Sequence, residues 1–195
     1  MSNIDVQAFL EELYAQGQAN DAHVQERGQK MLNLEPETAQ FLHILLRSTR
    51  RKHILEIGTS NGYSTTWLAW AASEHGGRVV SIDRDPHKHE LADANLRRAG
   101  LRELVDLKCG DATEIIANLS GPLDCVFFDA DRYSAPAQVR LLLPKLATDV
   151  FLLADNVISH PDEITGYLKT LDELPQFEKL VIPIGKGLSV AYRSA

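Results

Sequence analysis

The chain has 195 residues, of which 44% are hydrophobic and 24% are charged, and its formal net charge is −7. This composition is that of a globular protein with one well-buried core, so we expect a single domain over residues 1–195.

No stretch approaches the roughly 20 apolar residues that span a bilayer, and the N-terminus lacks a signal-peptide pattern, so we expect no membrane association and a cytoplasmic location. The acidic balance disfavours nucleic acid as a partner, although one local positive cluster occurs at Arg47, Arg50, Arg51 and Lys52.

The first 50 residues have the apolar spacing of helices. Residues 4–16, 21–31 and 36–50 each carry this pattern, and in the third segment the apolar side chains form one stripe. The sequence therefore predicts three N-terminal helices. We expect them to cap the sheet of the following core or to form the interface of a homodimer.

From residue 51 onward, short β-rich runs alternate with helical patterns, which is typical of an α/β fold with helices on both faces of a mostly parallel sheet. The last two β-rich runs are separated by only three residues, which is too short for a parallel crossover, so they should form an antiparallel hairpin. The sequence therefore predicts a Rossmann-like core over 51–195 with seven strands. The strands are predicted at 53–57, 78–82, 104–108, 125–128, 150–154, 177–184 and 188–193, and helices should begin near Gly62, Pro86, Asp111, Ser134 and Pro161.

The two cysteines lie in or beside these predicted strands. Neither Cys109 nor Cys125 has a neighbour at the spacing of a metal site. We expect both to be reduced residues of the core.

A turn with two glycines follows the first predicted strand. Gly58 and Gly62 let the backbone turn tightly beside a ligand, although an ordinary strand-to-helix turn is the alternative interpretation. The spacing differs from Gly-x-Gly-x-x-Gly, which disfavours a dinucleotide pyrophosphate and therefore a nicotinamide-dependent oxidoreductase. We expect another nucleotide-type cofactor at the carboxyl ends of the strands.

Acidic residues follow the second and third predicted strands. Asp83 lies about 20 residues beyond the glycine turn, where a carboxylate can accept hydrogen bonds from ribose hydroxyls. Asp85, directly before Pro86, is better placed to cap the next helix. Gly110 and Asp111 follow the third strand at a position suited to the edge of an adenine ring, and a helix N-cap is an equal alternative for Asp111.

Oxygen-bearing side chains follow the fourth and fifth predicted strands. Asp129 and Asp155 can converge because adjacent parallel strands lie about 4.8 Å apart, and Asn156 adds a neutral oxygen. Such a set suits a hard divalent cation, with Mg²⁺ favoured. The alternative interpretation is that the two acids cap helices or pair with arginines.

Together these motifs resemble the catechol and caffeoyl-CoA type O-methyltransferases. The matching segments are 56–64, Asp83, 110–112, 128–131 and 153–157, with the closing hairpin at 187–188. The resemblance implies a class I methyltransferase that uses S-adenosylmethionine and a divalent metal to methylate a hydroxyl oxygen of a small acceptor, catechol-like or polyhydroxylated. The metal ligands would be Asp129, Asp155 and Asn156, and the cofactor would be bound by Asn33, Leu34, Glu56, Gly58, Ser60, Gly62, Tyr63, Ser64, Asp83, Gly110, Asp111, Ala112 and Asp129.

The chain departs from the family at Arg132, where the family has a lysine that is the usual candidate for the general base. We assign Arg132 to the catalytic set with Asp129 and Asp155, but a guanidinium with a pKa above about 12 cannot accept a proton near neutrality. Either the metal suffices for deprotonation, which we favour, or Asp131 or His160 is the base, or the protein binds the cofactor without turnover. Methylation of an RNA base hydroxyl is a further alternative.

Overall fold

The computed structural model describes residues 5–195. Its helices and strands alternate from the first strand to the sixth, and the seventh strand follows the sixth directly, as the sequence predicts. The helices are α1 (Val6–His23), α2 (Pro36–Ser48), α3 (Tyr63–Ser73), α4 (Pro86–Arg98), α5 (Ala112–Asn118), α6 (Ala135–Leu142) and α7 (Pro161–Asp172). The strands are β1 (His53–Ile57), β2 (Arg78–Asp83), β3 (Val105–Cys109), β4 (Leu123–Phe128), β5 (Leu146–Ala154), β6 (Glu178–Ile182) and β7 (Leu188–Arg193).

The strands form one seven-stranded sheet in the order β3-β2-β1-β4-β5-β7-β6. Strands β1 to β5 run parallel, whereas β7 pairs antiparallel with both β5 and β6. The predicted mostly parallel sheet with an antiparallel C-terminal hairpin is confirmed. Because the strand order reverses between β1 and β4, the carboxyl ends of these two strands border the crevice where α/β proteins bind ligands.

Alternate residues of the central strands pack on opposite faces of the sheet. In β1, Ile54 belongs to a buried apolar cluster with residues of α1 to α4, whereas Leu55 belongs to a second cluster with residues of α5 to α7. The same alternation occurs in β4 between Phe127 and Val126. This period of two places helices on both faces, as predicted. Among the described residues, no helix has the length and apolarity needed to cross a membrane.

The predicted helix over 21–31 is wrong. Helix α1 continues to His23, and a short 3₁₀ turn at Arg27–Gln29 and extended backbone connect it to α2. The reason is the Asp21 carboxylate, which accepts hydrogen bonds from the backbone N–H groups of Met31 (2.6 Å) and Leu32 (2.8 Å) and so folds the segment back. The helix start predicted at residue 4 lies outside the described residues.

The prediction for the two cysteines is half right. Both are unpaired, and Cys125 is buried in β4, but Cys109 is exposed. Cys109 ends β3, which is an edge strand of the sheet and is covered less completely than the central strands.

We propose that the N-terminal helices and the sheet unfold as one domain, because Leu10 of α1 is fully buried in the cluster that also contains Ile54 of β1. Leu10→Ala should lower the free energy of unfolding by about 2–5 kcal/mol in a single transition. Urea denaturation followed by circular dichroism measures this. The exposed neighbour is the control, since Glu11→Ala should change stability by less than about 0.5 kcal/mol. A separate early transition of the Leu10→Ala variant, with the main transition unmoved, would contradict the one-domain proposal.

Candidate functional site

A cavity of about 950 Å³ lies at the carboxyl ends of the strands and joins the glycine turn to the ends of β4 and β5. A second cavity of about 90 Å³ adjoins it and is bordered by Gly110, Asp111 and Ala112. Two predicted site residues, Glu56 and Gly62, border neither cavity. The predicted residues that border the large cavity are Asn33, Leu34, Gly58, Ser60, Tyr63, Ser64, Asp83, Asp129, Arg132, Asp155 and Asn156.

The turn after β1 requires both of its glycines. Gly58 has φ = +109°, and a Cβ at this position would overlap the backbone carbonyl of Asp129. Gly62 has φ = +83° and begins α3, where a Cβ would lie 3.1 Å from the Cα of Ala92 in α4. Gly58 therefore keeps the turn against the end of β4, whereas Gly62 serves the packing of α3 on α4.

The Asp83 carboxylate is fixed beside the glycine turn. Its Oδ2 accepts a hydrogen bond from the backbone N–H of Ser60 (2.8 Å), and its Oδ1 accepts one from the backbone N–H of Asp85 (3.0 Å). Asp85 caps α4 by accepting from the backbone N–H of His87 (2.8 Å), as predicted. Asp83 is therefore not the helix cap, and its remaining lone pairs can accept hydrogen bonds from a ligand in the cavity.

Asp111 has the capping role that the sequence left as one alternative. Its Oδ1 accepts hydrogen bonds from the backbone N–H groups of Thr113 (2.8 Å) and Glu114 (3.1 Å) at the start of α5. The residue also borders the small cavity, so its backbone and Cβ remain next to any ring placed there.

Glu56 lies beneath the turn and is fully buried. Its Oε2 accepts hydrogen bonds from Thr65 Oγ1 (2.5 Å) and Ser81 Oγ (2.6 Å), and its Oε1 has no partner in the described structure. Burial raises the pKa of Glu56 to about 7, although these hydrogen bonds act in the opposite direction. The contacts link β1, α3 and β2 under the cavity.

Residues 30–35, which we call the strap, pass over the glycine turn. The hydroxyl of Ser60 donates to the carbonyl of Met31 (2.7 Å), and the ammonium of Lys88 donates to the carbonyl of Lys30. Asn33 is 7% exposed, and neither amide atom of its side chain has a hydrogen-bond partner. Asn33 borders the large cavity, but its amide packs against Gly17 of α1, so the side chain would have to turn to bind a polar ligand in the cavity.

Lys88 is a residue of the site that the sequence did not single out. It is 6% exposed in the first turn of α4, and burial lowers its pKa despite the nearby charges of Asp83, Asp21 and Asp85. A lysine among charged residues at a helix start usually extends into solvent, so the sequence carried no signal for its burial.

The predicted acid pair comes together at the ends of β4 and β5. The Nδ2 of Asn156 donates to Asp155 Oδ2 (2.6 Å) and to Asp129 Oδ1 (3.4 Å). Asp155 is 3% exposed and its Oδ1 has no partner. Burial raises the pKa of both carboxyls, and the charge of Asp155 raises the pKa of Asp129 further. Asn156 itself has φ = +67°, a strained conformation of the kind that functional sites retain.

Within residues 5–195, no three His, Cys, Asp or Glu side chains converge on one point. Any divalent cation at the acid pair would therefore need the amide of Asn156, or solvent and ligand oxygens, in addition to the two carboxylates. This is the oxygen-only donor set that the sequence predicts.

Arg132 and the two alternative bases border the large cavity, but two of the three are already engaged. Nη1 of Arg132 pairs with Glu163 Oε2 of α7 at 2.9 Å. Asp131 accepts hydrogen bonds from the backbone N–H of Tyr133 (3.0 Å) and from Ser134 Oγ (2.6 Å), so both oxygens of its carboxylate are engaged within its own loop. His160 is hydrogen-bonded through Nδ1 to Ser159, which leaves its other ring nitrogen available.

Glu35 and Lys186 are the other residues that sequence reasoning missed. Nζ of Lys186 lies 2.7 Å from Oε1 of Glu35, and Lys186 borders the large cavity. The sequence of residues 185–187 predicts only the connection of a hairpin. Nothing in the local pattern indicates that this turn reaches the strap.

The positive cluster before β1 is partly paired inside the chain. Arg51 is 5% exposed and pairs with Asp149 at 2.8 Å, whereas Arg47 is exposed and pairs with Glu74 at 2.6 Å. Arg51 therefore cannot face a phosphate backbone, which reduces the exposed positive charge of the cluster.

Comparison with known proteins agrees with this geometry. Residues 5–194 match a family described as O-methyltransferase. The chain is 37% identical to a catechol O-methyltransferase of Niastella koreensis over 68% of this chain and 62% of that protein, and 34% identical to a catechol O-methyltransferase of Mycobacterium tuberculosis over 79% and 72%. Among solved structures, an O-methyltransferase from Bacillus cereus in complex with SAH superposes with a TM-score of 0.79 at 25% identity, covering 100% of this chain and 93% of that one.

Replacement of Gly58 by alanine tests the close approach between the turn and β4. Gly58→Ala and Gly76→Ala both place a side chain at positive φ, which should cost about 1–2 kcal/mol of stability in each variant. Only the Cβ of Gly58→Ala also overlaps backbone atoms, which should cost about 1–3 kcal/mol more. Gly58→Ala should therefore lower stability more than Gly76→Ala, which has open space around it. Chemical denaturation of the two variants makes the comparison, and equal losses would show that the turn can move away from Asp129.

Proposed function

Since this chain belongs to the O-methyltransferase family, we propose that it transfers the methyl group of S-adenosylmethionine to a hydroxyl oxygen of a small catechol-like or polyhydroxylated acceptor, with the help of a divalent cation. One observation carries the proposal. A single cavity is bordered by Asp83, Asn33 and the acid pair Asp129 and Asp155. These groups suit a nucleoside with a polar tail at one end and a cation with a hydroxylated acceptor at the other.

The cofactor is proposed to lie along the glycine turn. Asp83 has lone pairs for the two ribose hydroxyls, and Asn33 has both a donor and an acceptor for the charged methionine end. The small cavity beside Ala112 suits the adenine edge. The Bacillus cereus relative, whose fold superposes over the whole chain, is in complex with SAH, which supports a cofactor of this class in the same fold.

The acid pair is proposed to hold the cation. The free Oδ1 of Asp155 and the raised pKa of both acids are features of a site that needs a positive charge, since two neighbouring carboxylates repel each other. Asn156 contacts both acids through its amide, which carries an oxygen as well as a nitrogen. When bound, a hard cation such as Mg²⁺ would supply Lewis-acid polarisation of the acceptor hydroxyl.

The transfer is an in-line displacement. The acceptor oxygen forms a bond to the methyl carbon, the carbon–sulfur bond breaks, and its electron pair stays on sulfur to give S-adenosylhomocysteine, while the acceptor proton leaves to solvent. Positioning of the oxygen about 3 Å from the methyl carbon is the main contribution of such a site. Arg132 cannot take the proton, because its guanidinium stays charged and is paired with Glu163.

A second candidate function follows from the same arginine. A protein that binds the cofactor but does not turn over would tolerate Arg132 in place of a lysine. Calorimetry with S-adenosylmethionine, followed by methyl-transfer assays on a panel of catechols, distinguishes the two functions. Binding without transfer to any catechol, with Mg²⁺ present, would favour the second. The homodimer predicted from the N-terminal helices remains a prediction, which sedimentation of the same preparation would test.

Removal of one acid should separate turnover from cofactor binding. Asp155→Ala should abolish methyl transfer that depends on added Mg²⁺, while S-adenosylmethionine binds with little loss, because the carboxylate lies at the acceptor end. Labelled methyl transfer to catechol and calorimetry provide the two readouts. Asp162→Ala, at an exposed position in the first turn of α7, removes the same charge and should leave both unchanged. Full Mg²⁺-dependent activity of Asp155→Ala would exclude the proposed cation site.

Removal of the proposed ribose partner, in contrast, should weaken the binding of the cofactor itself. Asp83→Ala should weaken S-adenosylmethionine binding by about 1–3 kcal/mol, because two hydroxyls lose a charged acceptor. The same substitution also frees the backbone N–H of Ser60 and so loosens the turn. Asp106→Ala, at an exposed position of β3, is the matched control. Calorimetry should show unchanged affinity for the control, and an equal affinity for Asp83→Ala would place the ribose elsewhere.

A further inference from the structure

We propose that the ammonium group of Lys186 contacts the reacting oxygen of the acceptor and stabilises its negative charge. This inference rests on the proposed function, since it assigns a binding partner to the oxygen that receives the methyl group. Lys186 lies on the turn between β6 and β7, far in sequence from the acid pair, but it borders the same cavity.

The backbone of this turn is fixed beside the end of β5. The carbonyl of Lys186 accepts hydrogen bonds from the backbone N–H groups of Ile158 (3.0 Å) and Ser159 (3.1 Å), in the loop that follows Asp155 and Asn156. Gly185 and Gly187 both have positive φ, and a Cβ on either would overlap a neighbouring side chain. The turn therefore cannot shift easily, and the lysine side chain starts from a defined position.

Glu35 holds the side chain over the cavity. Only its Oε1 pairs with Lys186, and its Oε2 is buried without a partner, so the pair is a single contact that leaves the other hydrogens of the ammonium free. The Lys186 side chain is 44% exposed, so a ligand can reach it. Glu35 is in this respect a positioning residue, because it acts through the lysine.

The charges around Lys186 keep it protonated. Burial lowers its pKa, but the hydrogen bond and charge of Glu35, together with the charges of Asp155 and Asp129, outweigh this effect and raise the pKa above the usual value. The ammonium therefore stays charged at neutral pH, where it can stabilise an oxyanion but cannot act as a base. Its role is electrostatic, and the proton of the acceptor still leaves to solvent.

Arg132 is the other cation beside the acid pair, and its geometry differs. Its side chain is 13% exposed and is paired with Glu163 of α7. Lys186 has a more exposed side chain and a compact charge on a flexible stem, which suits contact with a small oxygen nucleophile. Each of these two cations has one ion-pair partner, but the side chain of Lys186 is the more exposed and is therefore the easier one for a bound acceptor to contact.

The test uses 4-nitrocatechol, which changes colour when its first hydroxyl ionises. With S-adenosylhomocysteine and MgCl₂ present, no methyl transfer occurs, and absorbance against pH gives the apparent pKa of the bound probe. Lys186→Met should raise this apparent pKa by about 1 pH unit or more relative to the unmodified protein, since one nearby positive charge is lost. Lys52→Met, at an exposed position before β1 and at the opposite edge of the sheet, removes the same charge and should not change it.

Turnover gives a second readout. Lys186→Met should lower kcat/KM for catechol by about 10- to 100-fold, with unchanged affinity for S-adenosylmethionine by calorimetry. Lys186→Arg keeps the charge and should restore part of the loss. Glu35→Gln should give a smaller decrease than Lys186→Met, because it removes the tether but not the ammonium.

The outcomes distinguish this inference from the proposed function. Active, unmodified protein together with a Lys186→Met variant that has the same probe pKa and the same kcat/KM would overturn the role of Lys186 alone. Unmodified protein that neither binds 4-nitrocatechol nor methylates any catechol would overturn the proposed function, and this inference with it. If Lys186→Met lowers thermal stability, the titration is repeated at a lower temperature at which the variant is folded. A probe pKa that is still raised in the folded variant supports the contact.

Discussion

The site depends on one close approach, between the glycine turn after β1 and the backbone carbonyl of Asp129, which directly follows β4. Gly58 has no Cβ, so the turn can lie directly against Asp129. The backbone N–H of Asp129 also donates to the carbonyl of Ile57 at 2.9 Å, which locks the two strand ends together. The glycine turn and the acid pair are therefore joined at one edge of the sheet, so a methyl donor bound at the turn, as proposed, would lie near an acceptor bound at the acids.

Features that follow from local pattern and parallel pairing could be predicted from the sequence. Asp83 and Asp129 each follow a buried strand, and a parallel sheet places such residues at one edge. The pairing of Phe128 with Ala154 then brings Asp129 beside Asp155, as the spacing of neighbouring strands requires. The hairpin at the C-terminus could be predicted because its connection is too short for any other arrangement.

The errors and omissions have a common physical cause, which is contact between residues distant in sequence. The helix predicted over 21–31 fails because Asp21 captures backbone groups ten and eleven residues away. The pair of Glu35 and Lys186 joins segments about 150 residues apart, and in sequence each is only a charged loop residue. Periodicity reports which face of an element is buried, but it carries no information about which loops meet.

The strap between α1 and α2 connects the two ends of the proposed reaction. Asn33, at one end, borders the large cavity, and Glu35, two residues later, pairs with Lys186, which borders the same cavity. Asn33 and Glu35 therefore lie on one short segment, so a cofactor and an acceptor bound at the proposed places would each contact a group that the strap carries or holds.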